Sequence, residues 1–135
     1  MREDSILIVE DNEDFRGLVR AALEQERFTV REASDGREAL ARLRESGSRH
    51  CLMLMDLMMP GMTGWELVAA VRSDPLLRDN PIILSTAVPE EAPSGVDAVL
   101  QKPFDLDSLV RIVERYCSRI PEPVSAEGSV VAVPP

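Results

Sequence analysis

Two short, unbroken apolar runs, each followed at once by acidic residues, constrain the fold of this chain most strongly. The first covers residues 6–9 and stops at Glu10 and Asp11, and the second covers residues 51–55 and stops at Asp56. Continuous apolar runs of this length are typical of strands that are buried on both faces. Strands of that kind occur in parallel sheets covered by helices, so the sequence predicts an α/β fold with carboxylates at strand ends.

Helical and strand patterns alternate along the rest of the chain. Asp35 and Glu38 form a D-x-x-E capping box that opens a helix, and Asp105 is placed to cap a last helix. Strands alternating with helices predict a doubly wound parallel sheet with helices on both faces. The expected strands are 6–9, 28–33, 51–55, 81–85 and 97–101. The helical patterns lie at 13–26, at 35–43, in a short stripe of Leu67, Val68 and Val71 that ends at residues 73–75, and after Asp105 as far as Ile120.

Length and composition favour one domain with a short tail. The chain has 135 residues, of which 44% are hydrophobic, which suits a single core. We expect this domain to span residues 1–120. The segment 121–135 loses periodicity and contains four prolines, so it is predicted to be a disordered tail.

The net charge and the lack of targeting patterns limit the expected partners and location of the protein. With 24 acidic and 15 basic residues the net charge is −9, which argues against nucleic acid or a membrane as the main partner. No segment has the pattern of a signal peptide or a membrane span, so we expect a cytoplasmic location. Cys51 and Cys117 are too few for a disulfide framework, and we interpret them as buried, unreactive thiols.

The acidic strand ends predict a cation site. In doubly wound sheets, ligands bind beyond the carboxyl ends of the strands, where Glu10, Asp11 and Asp56 lie. If the first and third strands are neighbours about 4.8 Å apart, each like-charge pair costs roughly 3–4 kcal/mol at an effective dielectric constant of 20. All-oxygen ligands favour a hard cation such as Mg²⁺. The alternative is that each acid only caps the helix after it.

A hydroxyl pair and one ammonium complete the predicted site. Ser85 and Thr86 end the fourth strand, and Lys102, the only lysine among 15 basic residues, ends the fifth. A carboxylate beside Mg²⁺, a hydroxyl and an ammonium suits phosphoryl transfer to Asp56, because that chemistry consists mostly of positioning and charge neutralisation.

These residues together resemble the receiver domains of bacterial two-component response regulators, over about residues 4–120. The resemblance implies a flavodoxin-like sheet with strand order 2-1-3-4-5. The motifs that carry it are Ile-Leu-Ile-Val-Glu10-Asp11, Met-Leu-Met-Asp56-Leu-Met-Met-Pro60-Gly61-Met-Thr-Gly64, Ser85-Thr86-Ala87, and Gly95 followed seven residues later by Lys102-Pro103-Phe104.

The resemblance also implies roles for the acidic residues. Asp56 would accept a phosphoryl group from the phosphohistidine of a sensor histidine kinase or a phosphotransfer protein. Asp11, Asp56 and the backbone carbonyl of Met58 would ligate Mg²⁺, and Glu10 would assist through water.

For the remaining site residues, the resemblance implies that Thr86 hydrogen-bonds a phosphoryl oxygen and that Lys102 pairs with it. A cis peptide bond would precede Pro103. Similar proteins switch through an aromatic residue three positions before the lysine, but here that residue is Val99. We therefore expect a different readout of phosphorylation.

A second departure from the family pattern lies between Thr86 and Gly95. Only eight residues separate them, and two are Pro89 and Pro93, so an average helix of about 11 residues does not fit. We expect the fourth helix to be missing or reduced to a turn at Glu90 and Glu91. The partner surface in this region should then be remodelled.

Three functions remain open from the sequence. The first is a stand-alone phosphoacceptor switch whose output is contact with a downstream protein, with only self-catalysed phosphoryl transfer and slow autodephosphorylation as chemistry. The second is an interaction module that works without phosphorylation. The third is a phosphohydrolase with Asp56 as nucleophile, but such enzymes carry a second Asp two residues later, where this chain has Met58.

Overall fold

The computed structural model describes residues 5–45 and 50–117. Five parallel strands form one sheet in the order β2-β1-β3-β4-β5, which confirms the predicted doubly wound topology. The strands are β1 (Ser5–Val9), β2 (Thr29–Ala33), β3 (His50–Asp56), β4 (Ile82–Thr86) and β5 (Ala98–Gln101). The helices are α1 (Glu13–Gln25), α2 (Gly36–Glu45), α3 (Gly64–Ser73) and α4 (Leu106–Cys117).

The two faces of the sheet bury separate apolar layers. Alternate side chains of each strand point to opposite faces, so Leu7 and Met53 join the layer with α2 and α3. Ile6 and Leu52 join the layer with α1 and α4. Since the central strands are covered on both sides, their apolar runs are continuous, as the sequence indicated.

Side-chain caps begin the helices where the sequence placed them. The Glu38 backbone N–H donates to Asp35 Oδ1 at 2.9 Å, and the Ser108 backbone N–H donates to Asp105 Oδ1 at 2.8 Å. An unpredicted capping box begins α3, where Thr63 and Glu66 form reciprocal side-chain to backbone hydrogen bonds. These caps fix the directions in which the helices leave the sheet.

The connection from β4 to β5 is short, as predicted. Among the described residues it contains a single 3₁₀ turn, Pro89–Glu91, and no α-helix. Trp65 Nε1 donates to the Glu91 backbone carbonyl at 3.0 Å, which ties the turn to the start of α3. The Trp65 side chain is exposed, with 37% of its surface accessible to solvent.

One interpretation of the cysteines is wrong. Cys117, buried at the end of α4, is disulfide-bonded and is therefore not a free thiol. Sequence spacing does not indicate whether two cysteines far apart in a chain become neighbours in the fold. The side chain of Cys51 and the tail predicted at 121–135 lie outside the described residues. None of the described helices is long and apolar enough to span a membrane.

Gly64 allows the start of α3 to approach the end of β3 closely. The Gly64 backbone N–H donates to the Leu57 carbonyl at 2.8 Å. A Cβ at position 64 would lie 2.8 Å from Leu57 Cα and 3.1 Å from the Asp56 carbonyl oxygen. Because these are backbone atoms, the segment that follows Asp56 would have to move.

We expect Gly64→Ala to lower the free energy of unfolding by about 1–3 kcal/mol, the usual cost of overpacking. Gly17→Ala is the matched control, since a Cβ at that exposed position of α1 meets nothing within 4 Å. The control should raise the free energy of unfolding by about 0.5–1 kcal/mol, because alanine favours a helix over glycine. Urea unfolding of both variants measures the difference, and equal effects would contradict the close approach.

Candidate functional site

The register of the sheet brings three carboxylates together at one edge. Val9 pairs with Met55, so Glu10 follows β1 directly beside Asp56 at the end of β3. Glu10, Asp11 and Asp56 each offer one oxygen, and these oxygens all lie within 4.8 Å of one another. Glu10 and Asp56 are buried, whereas Asp11 is exposed. The convergence predicted from the two strand ends is therefore present.

Lys102 supplies the positive charge of this group. Its Nζ lies 3.1 Å from Asp56 Oδ1 and 3.6 Å from Glu10 Oε1. The Lys102 backbone N–H donates to the Thr86 carbonyl at 2.8 Å, which fixes the end of β5 against β4. One ammonium against three carboxylates leaves a net negative group, which favours binding of a further cation.

The residues present fit a hard divalent cation. Among the described residues, Glu10, Asp11 and Asp56 form the one group of three or more His, Cys, Asp or Glu side chains that could share a metal ion. All three ligands are carboxylate oxygens, and magnesium prefers oxygen ligands. The cluster is thus compatible with Mg²⁺.

Burial and like charge raise the pKa of the Glu10 carboxyl above its ordinary value. Burial is the largest cause, and the charges of Asp56 and Asp11 add to it. The Asn12 backbone N–H, which donates to Glu10 Oε2 at 3.1 Å, and the Lys102 ammonium oppose the rise. Keeping Glu10 ionised at neutral pH therefore costs folding free energy in the absence of a cation.

The other predicted site residues lie at the same edge. Thr86 ends β4, is buried, and its Oγ1 accepts a hydrogen bond from the Val88 backbone N–H at 3.1 Å. Met58 lies two residues beyond β3 with 60% of its surface exposed. The peptide bond between Lys102 and Pro103 is cis, which confirms that expectation. Val99 lies on β5, partly buried against the layer of α2 and α3.

A guanidinium that the sequence pattern did not indicate supports the site from α1. Arg16 Nη1 donates to the Glu10 backbone carbonyl at 2.8 Å, and its Nε donates to Glu32 Oε1 at 2.6 Å. Arg20 also contacts Glu32. These pairs lower the pKa of the Glu32 carboxyl, with the Arg16 hydrogen bond as the largest cause. The Arg16 side chain is only 15% exposed and links α1 to Glu32 on β2, so it is not part of a solvated face.

Phe15 is a second residue that the sequence did not indicate, since its ring lies against Lys102. No local spacing predicts this contact, because the two residues belong to opposite ends of the chain. The nearest signal in the sequence is the position of Phe15 within the first turn of α1, where its backbone N–H bonds to the capping residue Asn12.

The fold and this arrangement of three carboxylates and one lysine define a class of signalling domain. The family described as "Response regulator receiver domain" matches residues 6–114, so this chain belongs to the response regulator receiver family. The resemblance drawn from the sequence motifs is thereby confirmed.

Solved structures agree with this assignment. The chemotaxis response regulator CheY4 of Vibrio cholerae is 30% identical, with a TM-score of 0.77 over 85% of this chain and 99% of that one. The response regulator TrrA of Thermotoga maritima, solved in complex with Mg²⁺-BeF, is 29% identical, with a TM-score of 0.75 over 84% of this chain and 98% of that one.

Curated relatives differ in length. An uncharacterised 14.6 kDa protein of Leptolyngbya boryana is 37% identical over 86% of this chain and 92% of its own length. The transcriptional regulatory protein ResD of Bacillus subtilis is 37% identical over 87% of this chain. This chain spans about half of ResD, 49% of its length.

We expect Glu10→Gln to stabilise the protein at pH 7 when divalent cations are removed. A carboxyl whose pKa is raised by folding favours the folded state at acidic pH, and this contribution is lost as the pH rises through the raised pKa. Glutamine carries no charge at any of these pH values and resembles the protonated form of glutamate. Thermal unfolding in EDTA should therefore show a higher midpoint for Glu10→Gln at pH 7 and a smaller difference at pH 4.

The exposed carboxyl of Glu90 provides the control for this measurement. Glu90→Gln should leave the difference between the two pH values close to that of the unaltered protein. A Glu10→Gln midpoint that is lower at pH 7 than at pH 4, relative to the unaltered protein, would contradict the raised pKa.

Proposed function

We propose that this protein is a phosphoacceptor switch in which Asp56 receives a phosphoryl group from the phosphohistidine of a sensor histidine kinase or a phosphotransfer protein. The observation that carries the proposal is the position of the buried Asp56 carboxylate, 3.1 Å from Lys102 Nζ and inside a group of three carboxylates. A carboxylate in that setting is both a nucleophile and a ligand.

The proposed transfer needs little covalent chemistry from the protein. A carboxylate oxygen of Asp56 attacks phosphorus, the P–N bond of the phosphohistidine breaks, and the imidazole nitrogen keeps the electron pair. The product is an acyl phosphate on Asp56, and the Lys102 ammonium pairs with its oxygens. Glu10, Asp11, Asp56 and the Met58 carbonyl would hold Mg²⁺, which when bound neutralises charge on the phosphoryl oxygens.

A chain of hydrogen bonds offers the proposed switch a route to the surface. Thr86 Oγ1 accepts from the Val88 N–H, and the Val88 carbonyl accepts from the Glu91 N–H at 2.9 Å. The Glu91 carbonyl in turn accepts from Trp65 Nε1. If Thr86 turns to bond the phosphoryl group, the Pro89–Glu91 turn loses a hydrogen bond at its start. In this proposal, the hydrogen-bond route takes the place of the aromatic residue that similar proteins have at the position of Val99.

The output in this proposal is contact with a downstream protein, and the partners imply a cytoplasmic location. Nucleic acid and membranes are not proposed as partners, in line with the net charge of −9. The domain limits of 1–120 for the receiver and 121–135 for a tail belong to the same proposal.

The short β4–β5 connection favours a second candidate function, an interaction module that binds its partner without phosphorylation. In that case the remodelled surface around the Pro89–Glu91 turn would act in one fixed state. The complete set of Asp11, Asp56, Thr86 and Lys102 supports the phosphoacceptor instead, because a fixed module has no use for it.

Incubation with Mg²⁺ and acetyl phosphate tests the phosphoacceptor. We expect intact mass to show the gain of one phosphate, since the P–O bond of acetyl phosphate breaks and acetate leaves in place of imidazole. Asp56→Asn should abolish the gain, and EDTA should suppress it by at least ten-fold, because the phosphoryl charge is then not neutralised. No gain in the unaltered protein would favour the fixed module, and turnover of unrelated phosphoesters would favour a hydrolase.

We expect the phosphoryl group on Asp56 to be lost slowly. Met58 and Val88, two positions beyond Asp56 and Thr86, have no polar atom that could orient an attacking water. Met58→Asn, at a side chain that is 60% exposed, should speed the loss about ten-fold. Leu76→Asn is the control, since Leu76 is an exposed apolar side chain outside the site and should change nothing.

The measurement for this prediction is the decay of the phosphorylated mass after removal of acetyl phosphate. Rapid loss in the unaltered protein, equal to that of Met58→Asn, would contradict it.

A further inference from the structure

An aromatic ring contacts the ammonium of the site. Lys102 Nζ lies over the face of the Phe15 ring, 4.8 Å from the ring centre. The same nitrogen is 3.1 Å from Asp56 Oδ1 and 3.6 Å from Glu10 Oε1. The ammonium therefore contacts two carboxylates and one aromatic face at once, a geometry in which the negative face of the ring attracts the cation.

The position of the Phe15 ring is fixed from two sides. Its backbone N–H donates to Asn12 Oδ1 at 2.9 Å, which is the N-cap bond of α1. Its ring meets the Phe104 ring in an edge-to-face contact, with centres 5.8 Å apart and planes at 67°. Phe104 lies two residues beyond Lys102, so one short segment supplies both the ammonium and the ring that packs against Phe15.

The ring contact differs from the carboxylate contacts in how it depends on the state of the site. A bound divalent cation competes with Lys102 for the oxygens of Asp56 and Glu10, and a phosphoryl group on Asp56 removes one carboxylate altogether. The face of Phe15 carries no net charge and takes part in neither event. Neither event therefore removes the ring contact, whereas each of them weakens or removes a carboxylate contact.

We propose that Phe15 is a positioning residue, whose ring keeps the Lys102 ammonium facing Asp56 through cation binding and phosphoryl transfer. A lysine side chain has four methylene groups joined by rotatable bonds. An ammonium that moved into solvent would have to return to Asp56 before each phosphoryl transfer. The effect on transfer rests on the proposed function, but the position of Lys102 does not.

The single lysine of this chain allows a direct measurement of its position. Lysine labelled with ¹³C at Cε and incorporated into the full chain gives one side-chain signal, from Lys102. A ring face shields nearby protons, so we expect the Lys102 ε protons to resonate upfield of their position in the urea-unfolded chain, with Mg²⁺ and with EDTA. Phe15→Leu should remove the upfield shift, and Phe15→Tyr should retain it.

Phosphorylation rates give the functional readout. With Mg²⁺ and acetyl phosphate, we expect Phe15→Leu to slow the gain of phosphate by about two- to five-fold, the size of an exposed to half-buried cation–π contact. Phe15→Tyr keeps an aromatic ring at this position, so its rate should equal that of the unaltered protein. Phe28→Leu is the matched control, since Phe28 is buried in the same apolar layer and should lose stability without moving the Lys102 signal or the rate.

The outcomes separate this inference from the proposed function. If the unaltered protein gains no phosphate, the proposed function fails, and the Lys102 signal alone decides whether Phe15 positions the lysine. If the unaltered protein gains phosphate but Phe15→Leu changes neither signal nor rate, the inference is overturned. Lys102 ε protons at the unfolded position in the native unaltered chain would overturn it as well, even if Phe15→Leu failed to fold.

Discussion

The repulsion between carboxylates at the ends of β1 and β3 is the interaction on which the rest of the site depends. Parallel pairing of Val9 with Met55 leaves Glu10 and Asp56 side by side at the sheet edge. Burial strengthens their repulsion, since charges interact more strongly away from water. Val9 and Met55, which precede the two carboxylates, are 0% and 1% exposed and lie in the layer with α2 and α3, so the backbone keeps the two carboxylates close together. The Lys102 ammonium, 3.1 Å from Asp56 and 3.6 Å from Glu10, balances part of this charge, and the rest favours a further cation.

The sequence predicted the sheet well because its signals are local. The continuous apolar runs at β1 and β3 are typical of a covered parallel sheet, and in such a sheet the carboxylates after them fall at one edge. Some boundaries differ from the prediction: β3 includes Asp56, β1 begins at Ser5, and β2 begins at Thr29. The end residues of an element depend on caps and neighbours, which a periodic pattern does not encode.

The support of the site was less predictable than the site itself. Arg16 reaches the Glu10 carbonyl because α1 packs against β1 and β2. Phe15 meets Lys102 because α1 and the segment before α4 lie on the same face of the sheet. Both contacts join residues that are distant in the sequence and follow no spacing rule. The disulfide at Cys117 was missed for the same reason. Sequence motifs therefore identified the reacting groups, whereas the side chains that orient them became evident only from the fold.

The short β4–β5 connection changes how a signal could leave this site. A full helix after Thr86 would place many backbone bonds between the hydroxyl and the surface, and its ends could absorb a small movement. Here two residues separate Thr86 from the Pro89–Glu91 turn, and Val88 bonds to both. A change at the Thr86 hydroxyl then acts on a turn of only three residues, which Trp65 holds to α3. Because only three hydrogen bonds link the Thr86 hydroxyl to the exposed Trp65 side chain, we expect a movement of the hydroxyl to shift the indole as well.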